Sequence, residues 1–154
     1  MQFIFNLVKQ FNHHKIDYAI AGGWAVALHQ IPRATFDVDL VIHLSESNFE
    51  KVESVLNQMG LVSKLPVNAK DIFKFRKEYI QNKNLIAWSF SNPLNPSDIV
   101  DIILTEDKKK LDTIIKIIGD IKIPVLSAQS LITMKLKANR PQDIEDIKWL
   151  KKLI

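Results

Sequence analysis

An α/β (α+β) fold, with a small mixed β-sheet flanked by helices and two helices closing the chain, is the architecture the sequence predicts. Three observations carry it. Short apolar runs of strand length alternate with amphipathic stretches at helical spacing along the 154 residues, and such interleaving belongs to mixed-sheet domains. The apolar fraction of 47% and charged fraction of 25% are those of a chain able to bury a core. No Gly/Ser/Pro-rich linker, internal repeat or low-complexity stretch divides the sequence, so one domain spanning residues 1–154 is expected.

The opening stretch, Met1 to Lys15, sets Phe3, Leu7, Val8 and Phe11 at helical spacing. Asn6 interrupts its apolar core and no small-residue cleavage site follows, so an amphipathic helix is predicted rather than a signal peptide. Ile16 to Ala21 reads as a short buried strand ending at Gly22-Gly23, and Trp24 to His29 as a helix stopped before Pro32. Phe36 to Leu44 alternates, with Phe36, Val38, Leu40 and Ile42 on one face and Asp37, Asp39, Val41 and His43 on the other. Ser45 or Ser47 caps a helix running to about Met59, whose buried stripe is Phe49, Val52, Val55, Leu56 and Met59.

Leu61–Leu65, Phe73–Tyr79 and Leu85–Phe90 each read as strands, with their pairing undetermined, and Ser91 to Ser97 as a turn. Asp98 to Leu104 follows as a strand, Leu111–Ile118 as a helix and Ile121–Leu126 as a short strand. Helices over Ala128–Ala138 and Pro141–Leu153 close the chain, parted near Asn139-Arg140.

Composition also excludes. Disorder and collagen-like structure do not fit these fractions, and no apolar run nears the ~20 residues that cross a bilayer. With no cysteine there is neither a disulfide scaffold nor a thiolate metal site, which accords with a cytoplasmic location. The net charge of +4 is unevenly spread. Residues 1–60 carry 4 basic and 6 acidic side chains, and residues 61–154 carry 17 and 11. A basic second half opposite an acidic first half suits a polyanion near a carboxylate-bound metal, or it is a set of solvated lysines on amphipathic helices.

Asp37 and Asp39 lie two apart in a predicted strand, so both project from one face about 7 Å apart. Two carboxylates so placed repel unless a cation or hydrogen-bond donors intervene. A hard divalent ion such as Mg²⁺, which prefers carboxylate and phosphate oxygen, answers that need. Upstream, Gly22-Gly23 joins a strand to a helix, where bare backbone admits a phosphate closely or simply makes a tight turn. Asp101, inside the apolar run Ile99–Leu104, is a costly charge unless paired or metal-bound. Asp98 is its rival, read more cheaply as a solvated residue at the strand start.

Ala19-Ile20-Ala21-Gly22-Gly23-Trp24-Ala25, then Arg33-Ala34-Thr35-Phe36-Asp37-Val38-Asp39, then Val100-Asp101-Ile102, resemble the nucleotidyltransferase superfamily built on the polymerase-beta-like fold. The tail from Met134 to Ile147 is similar to that of its small bacterial members, which include AbiEii-type toxins and antibiotic-modifying enzymes. The resemblance implies a nucleotidyltransferase fold over roughly residues 16–150. It implies that Asp37 and Asp39 hold two Mg²⁺ ions, that Asp101 completes the site and helps activate the acceptor hydroxyl, and that Gly22 and Gly23 cradle the phosphates of an NTP.

Arg33 and Thr35 contact phosphate or orient Asp37, or else serve the loop. Lys135 either reaches the phosphates or snorkels at the surface. Trp24 is read as a core aromatic before a nucleotide neighbour, His13, His14 and His43 as surface or packing residues, and Arg140, Asp143 and Asp146 as structural. The implied reaction moves a nucleoside monophosphate from an NTP to an acceptor, which is RNA, protein or a small hydroxylated molecule, and releases pyrophosphate. The competing expectation is a toxin–antitoxin or phage-defence component acting mainly through a cognate protein partner. No membrane partner is expected.

Overall fold

The computed structural model describes residues 2–154. Met1, included in the expected opening helix, lies outside the described residues. The elements run α1 (Gln2–His13), β1 (Tyr18–Ala21), α2 (Gly22–Leu28), β2 (Val38–Ile42), α3 (Glu46–Gln58), β3 (Val62–Ser63), α4 (Ala69–Lys74) and α5 (Arg76–Lys83). They continue with β4 (Ala87–Asn92), β5 (Asn95–Ile103), a short 3₁₀ turn at Lys108–Lys110, β6 (Thr113–Ile118), β7 (Ile121–Leu126), α6 (Ala128–Ala138) and α7 (Pro141–Lys151).

All seven strands join one mixed sheet in the order β3-β4-β5-β2-β1-β7-β6. The central strands β1 and β2 are antiparallel, while β2 runs parallel to β5 and β1 parallel to β7. This is the mixed-sheet α/β architecture that the element order predicts. The core grows from its apolar periodicity. Ile4, Leu7, Val8 and Phe11 bury one stripe of α1. Ser45 caps α3 by accepting a hydrogen bond from Asn48 N, and Phe49, Val52, Val55 and Leu56 turn inward from that start.

One aromatic cluster decides which face of β4 is free. Trp88 stands 6.2 Å from Phe49 of α3 and 4.6 Å from Phe90, ring centre to ring centre, and all three are fully buried. Because strand side chains alternate, this packing turns Ala87, Ser89 and Ser91 to the opposite face. That face carries the acidic residues described below.

Two expected elements change type. Phe73–Tyr79 is not a strand: it spans the end of α4 and the start of α5. Asn68 starts the first of these helices by accepting a hydrogen bond from Asp71 N at 2.9 Å. The alternation of Phe73 and Phe75 is a surface feature, since Ile72 is the residue that buries. Leu111–Ile118 is not a helix: Thr113–Ile118 forms β6 in a hairpin with β7. Its Thr-Ile-Ile-Lys-Ile-Ile run is rich in β-branched residues, and Gly119 supplies the positive φ of +62° that the two-residue turn requires.

Boundaries shift elsewhere. β3 keeps only two residues of Leu61–Leu65, α2 begins at the glycines instead of Trp24, and the expected turn at Ser91–Ser97 tightens to Pro93-Leu94 between β4 and β5.

Candidate active site

One row of residues crosses four neighbouring strands at the same level. Ala21 of β1 pairs with Asp39 of β2, Asp39 with Asp101 of β5, and Asp101 with Ser89 of β4. Paired residues face the same way, and adjacent strands lie about 4.8 Å apart. The sheet therefore brings the carboxylates of Asp39 and Asp101 side by side. Asp37, two residues before Asp39 and on its face by alternation, stands exposed at the mouth of β2.

The cost of this crowding registers on Asp39. Burial pushes its pKa up, and the charges of Asp101 and Asp37 push further, so it reaches about 6 against the pull of Arg140 and Lys135. Asp101 has one oxygen fixed by Ser89 Oγ, which donates to Oδ1 at 2.5 Å. Ser89 escaped the sequence reading. Its signal was the small-residue face Ala87, Ser89, Ser91 alternating with Trp88 and Phe90.

Gly22 and Gly23 set the first turn of α2 against these acids. Gly22 has φ +60°, and a Cβ there would collide with Asp39 Oδ2. A Cβ on Gly23 would meet Thr35 Oγ1 at 2.8 Å. The two glycines thus place bare backbone directly on the carboxylate and on the loop that precedes it. We expect Gly22→Ala to cost roughly 1–2 kcal/mol from the left-handed backbone alone, and to displace Asp39 enough to slow turnover by about 100-fold. Gly119→Ala, at a similar φ with open space around it, should lose only the first of these. Thermal melts and initial rates of the two variants separate the effects.

Behind the row lies an ion network that ties the C-terminal helices to the acidic loop. Lys135 of α6 is 6% exposed, and its Nζ donates to Asp146 Oδ2 at 2.9 Å and to Asp143 Oδ1 at 3.5 Å. Arg33 Nε donates to Asp146 Oδ1 at 3.2 Å, and Gln142 Nε2 donates to the same oxygen at 3.1 Å. Arg140 donates to Asp143 Oδ2 through its Nε at 2.7 Å and its backbone N at 3.0 Å. Burial acts to raise the Asp143 pKa, but the hydrogen bonds and charge of Arg140, with Lys135, outweigh it, and the net direction is down.

Of the residues singled out from sequence, Asp37, Asp39, Asp101, Gly22, Gly23 and Thr35 gather at one end of β2. Arg33 links that end to α7, while Lys135 points its ammonium into two carboxylates. Trp24 packs half-buried against the core, and its Nε1 is buried without a hydrogen-bond partner. Beside it lies a cavity of about 330 Å³, lined by Phe3, Ile4, Trp24, Thr35, Phe36, Val38, Ser97 and Asp98. Its walls are mostly aromatic and apolar, with the hydroxyls of Thr35 and Ser97 and the carboxylate of Asp98 but no lysine or arginine, so it offers a phosphate no countercharge. His43 lies apart from the row, with Nδ1 at 3.2 Å from Asp107 Oδ1.

The donor set at the row suits a hard divalent ion, being carboxylate oxygen throughout and electrostatically short of a cation. It is not a finished cage: among the described residues no three acidic or imidazole side chains converge to hold a metal unaided. Among the described residues no helix is long and apolar enough to cross a membrane.

Residues 2–153 match the family model described as "Nucleotidyl transferase AbiEii toxin, Type IV TA system". No curated protein matches the chain. Among solved structures, the fold is similar to that of the lincosamide antibiotic adenylyltransferase LnuA with lincomycin bound, at a TM-score of 0.69 and 17% identity, over 100% of this chain and 98% of that one. It is similar to a putative nucleotidyltransferase from Thermotoga maritima, at 0.63 and 17%, over 98% and 92% of the two chains. An antigenic nucleotidyltransferase-like protein from Paracoccidioides brasiliensis matches at 0.61 and 20%, over 97% of this chain and 73% of its own. At such identities the likeness concerns the fold.

Proposed function

The chain belongs to the AbiEii nucleotidyl transferase family, and on that premise we propose that this nucleotidyltransferase moves a nucleoside monophosphate from an NTP to an acceptor and releases pyrophosphate. Asp37, Asp39 and Asp101 would hold divalent cation, Mg²⁺ in the first instance. The observation that carries the reading is the row Asp39, Asp101, Ser89 set against the bare backbone of Gly22. Bound there, Mg²⁺ would neutralise charge on the α-phosphate and on the oxygens entering and leaving it.

The chain's own groups do the rest. Gly22 and Gly23 let the triphosphate approach the backbone without a side chain between. Asp101, oriented by Ser89, takes the proton of the acceptor hydroxyl as its oxygen attacks the α-phosphorus and the bond to the β-phosphate oxygen breaks. Thr35 fixes the loop that carries Asp37. Arg33 contacts phosphate with only part of its guanidinium, since its Nε serves Asp146 and its Nη1 the Ala34 carbonyl. Lys135 acts on the nucleotide site through its field, drawing the Asp39 pKa down from within its ion network. As in phosphoryl transfer generally, positioning and electrostatics supply the catalysis.

The basic second half favours RNA among the acceptors, and the family's description as a type IV system toxin favours a toxin–antitoxin setting. The test is transfer from a panel of labelled NTPs, with Mg²⁺ present, to cell RNA, cell protein, aminoglycosides and lincosamides. Label should reach one acceptor class, and Asp37→Ala with Asp39→Ala should abolish the transfer. Equal transfer by the double variant would sink the assignment of these carboxylates.

A further inference from the structure

The two edges of the sheet are unlike. On one side β3 is two residues long and is followed by Lys64 and Pro66, a short and guarded edge. On the other, β6 presents six residues, Thr-Ile-Ile-Lys-Ile-Ile, with β7 as its single neighbour. Ile115 is 57% exposed and Ile117 66%. Lys116 is the one charge, the strand has no proline, and its register with β7 runs unbroken from Thr113↔Leu126 to Ile118↔Ile121. Apart from Lys116, none of the usual devices that blunt an open edge (proline, a bulge, a very short strand) is present in β6.

The direction of its free hydrogen-bonding groups follows from one contact. Ser127 N donates to Asp112 O at 2.9 Å, so residue 112 turns its backbone toward β7. Antiparallel strands alternate, so Ile114, Lys116 and Ile118 do the same, and Thr113, Ile115 and Ile117 point their N–H and C=O groups outward. These three outward residues are self-complementary. In an antiparallel copy with Ile115 opposite Ile115, Thr113 falls opposite Ile117, and every outward donor and acceptor of the three finds a partner.

Side chains agree with that register. Ile115 meets Ile115 on the face where β7 offers Pro124 and Lys122. On the other face Lys116 stands opposite Ile114, with Asp112 and Lys116 of the second copy at its two diagonal positions about 7–8 Å away, where a lysine can lean toward Asp112 and away from the other Lys116. Sliding two residues one way sets Lys116 opposite Lys116; sliding two the other way sets Ile117 opposite Leu111, beyond the strand. We propose that β6 is a homodimer interface, joining two copies of this chain edge to edge into one continuous sheet about a two-fold axis at Ile115.

Sedimentation of the wild-type chain across a wide concentration range should show a reversible monomer–dimer equilibrium, with amide exchange slowing at Thr113, Ile115 and Ile117 as concentration rises. Ile115→Pro deletes an outward N–H and spares the β6–β7 ladder, and should weaken the dimer roughly tenfold to a hundredfold. Lys116→Glu should weaken it by repelling Asp112 of the other copy, and adding Asp112→Lys should restore it. A monomer at every concentration overturns the proposal and leaves the edge to a different chain. A dimer indifferent to both Ile115→Pro and Lys116→Glu overturns it as well, by placing the interface elsewhere.

Discussion

Replacing Asp39 by asparagine should make the metal-free protein more stable while removing its activity. Asp39 is held by burial and by the neighbouring charges of Asp101 and Asp37 at a pKa of about 6, above the ordinary carboxylate value of about 3.9. The sign follows. Below about pH 4 the group is protonated in both the folded and unfolded chain and costs nothing. Between about 4 and 6 the unfolded chain loses the proton first, so stability falls as pH rises, and above 6 the full penalty stands. At about 1.4 kcal/mol per pKa unit, a shift of this size is worth at most about 3 kcal/mol, with solvent screening reducing it.

A neutral amide in place of the carboxylate carries no such penalty, so the apo melting temperature of Asp39→Asn at pH 7.5 should rise by a few degrees and the gain should vanish near pH 4. Mg²⁺ should stabilise the wild type more than the variant, which keeps Asp37 and Asp101 but has lost the buried carboxylate whose penalty the ion relieves. Turnover should fall by about 1,000-fold, the several kcal/mol of transition-state charge stabilisation at stake in metal-assisted transfer. Melting curves with EDTA and with Mg²⁺ at both pH values decide the matter. A variant that is less stable than wild type at pH 7.5 without metal would contradict the crowded-carboxylate account.

That opposition between stability and function explains why the acidic row is legible in the sequence. A charge inside Ile99–Leu104 and a pair of carboxylates in an alternating strand violate burial rules, and such violations point to chemistry. The glycines are legible for a related reason: only a residue without a side chain fits at Gly22, where the backbone lies on Asp39. The elements that mislead are those where local signals tie. Phe73 and Phe75 fit a strand by alternation, yet the Asn68 cap starts a helix there. The isoleucines of β6 fit either period, and only the Gly119-Asp120 turn separates hairpin from helix.

Lys135 is ambiguous for a different reason. Its partners Asp143 and Asp146 lie beyond a helix break, and their distance from it in sequence carries no local pattern. The break itself is built by Asn139, whose left-handed backbone (φ 51°) ends α6 and lets α7 fold back beside it. Only this turn brings the ammonium to both carboxylates, and the sequence leaves open whether it touches phosphate or water.

Lys135→Met should therefore act first on stability. It leaves Asp143 and Asp146, 1% and 2% exposed, with less positive charge than their burial demands, although Arg140 and Arg33 remain bound to them. Breaking one partner out of a buried ion network typically costs about 3–5 kcal/mol, which for a chain of this size lowers the melting temperature by roughly 6–20 °C. The methionine matches the lysine stem in length, so packing is retained and the loss reports on charge. Adding Asp146→Asn should return part of the stability by removing one of the uncompensated carboxylates, a recovery that lost packing alone would not give. Urea or thermal unfolding of the single and double variants measures both steps. Were Lys135 instead a free side chain spent on the nucleotide, the single variant would melt with the wild type and lose only NTP affinity. The distance of 2.9 Å from Nζ to Asp146 favours the first outcome, with catalysis failing because Arg33 and the loop leading to Asp37 lose their anchor on α7.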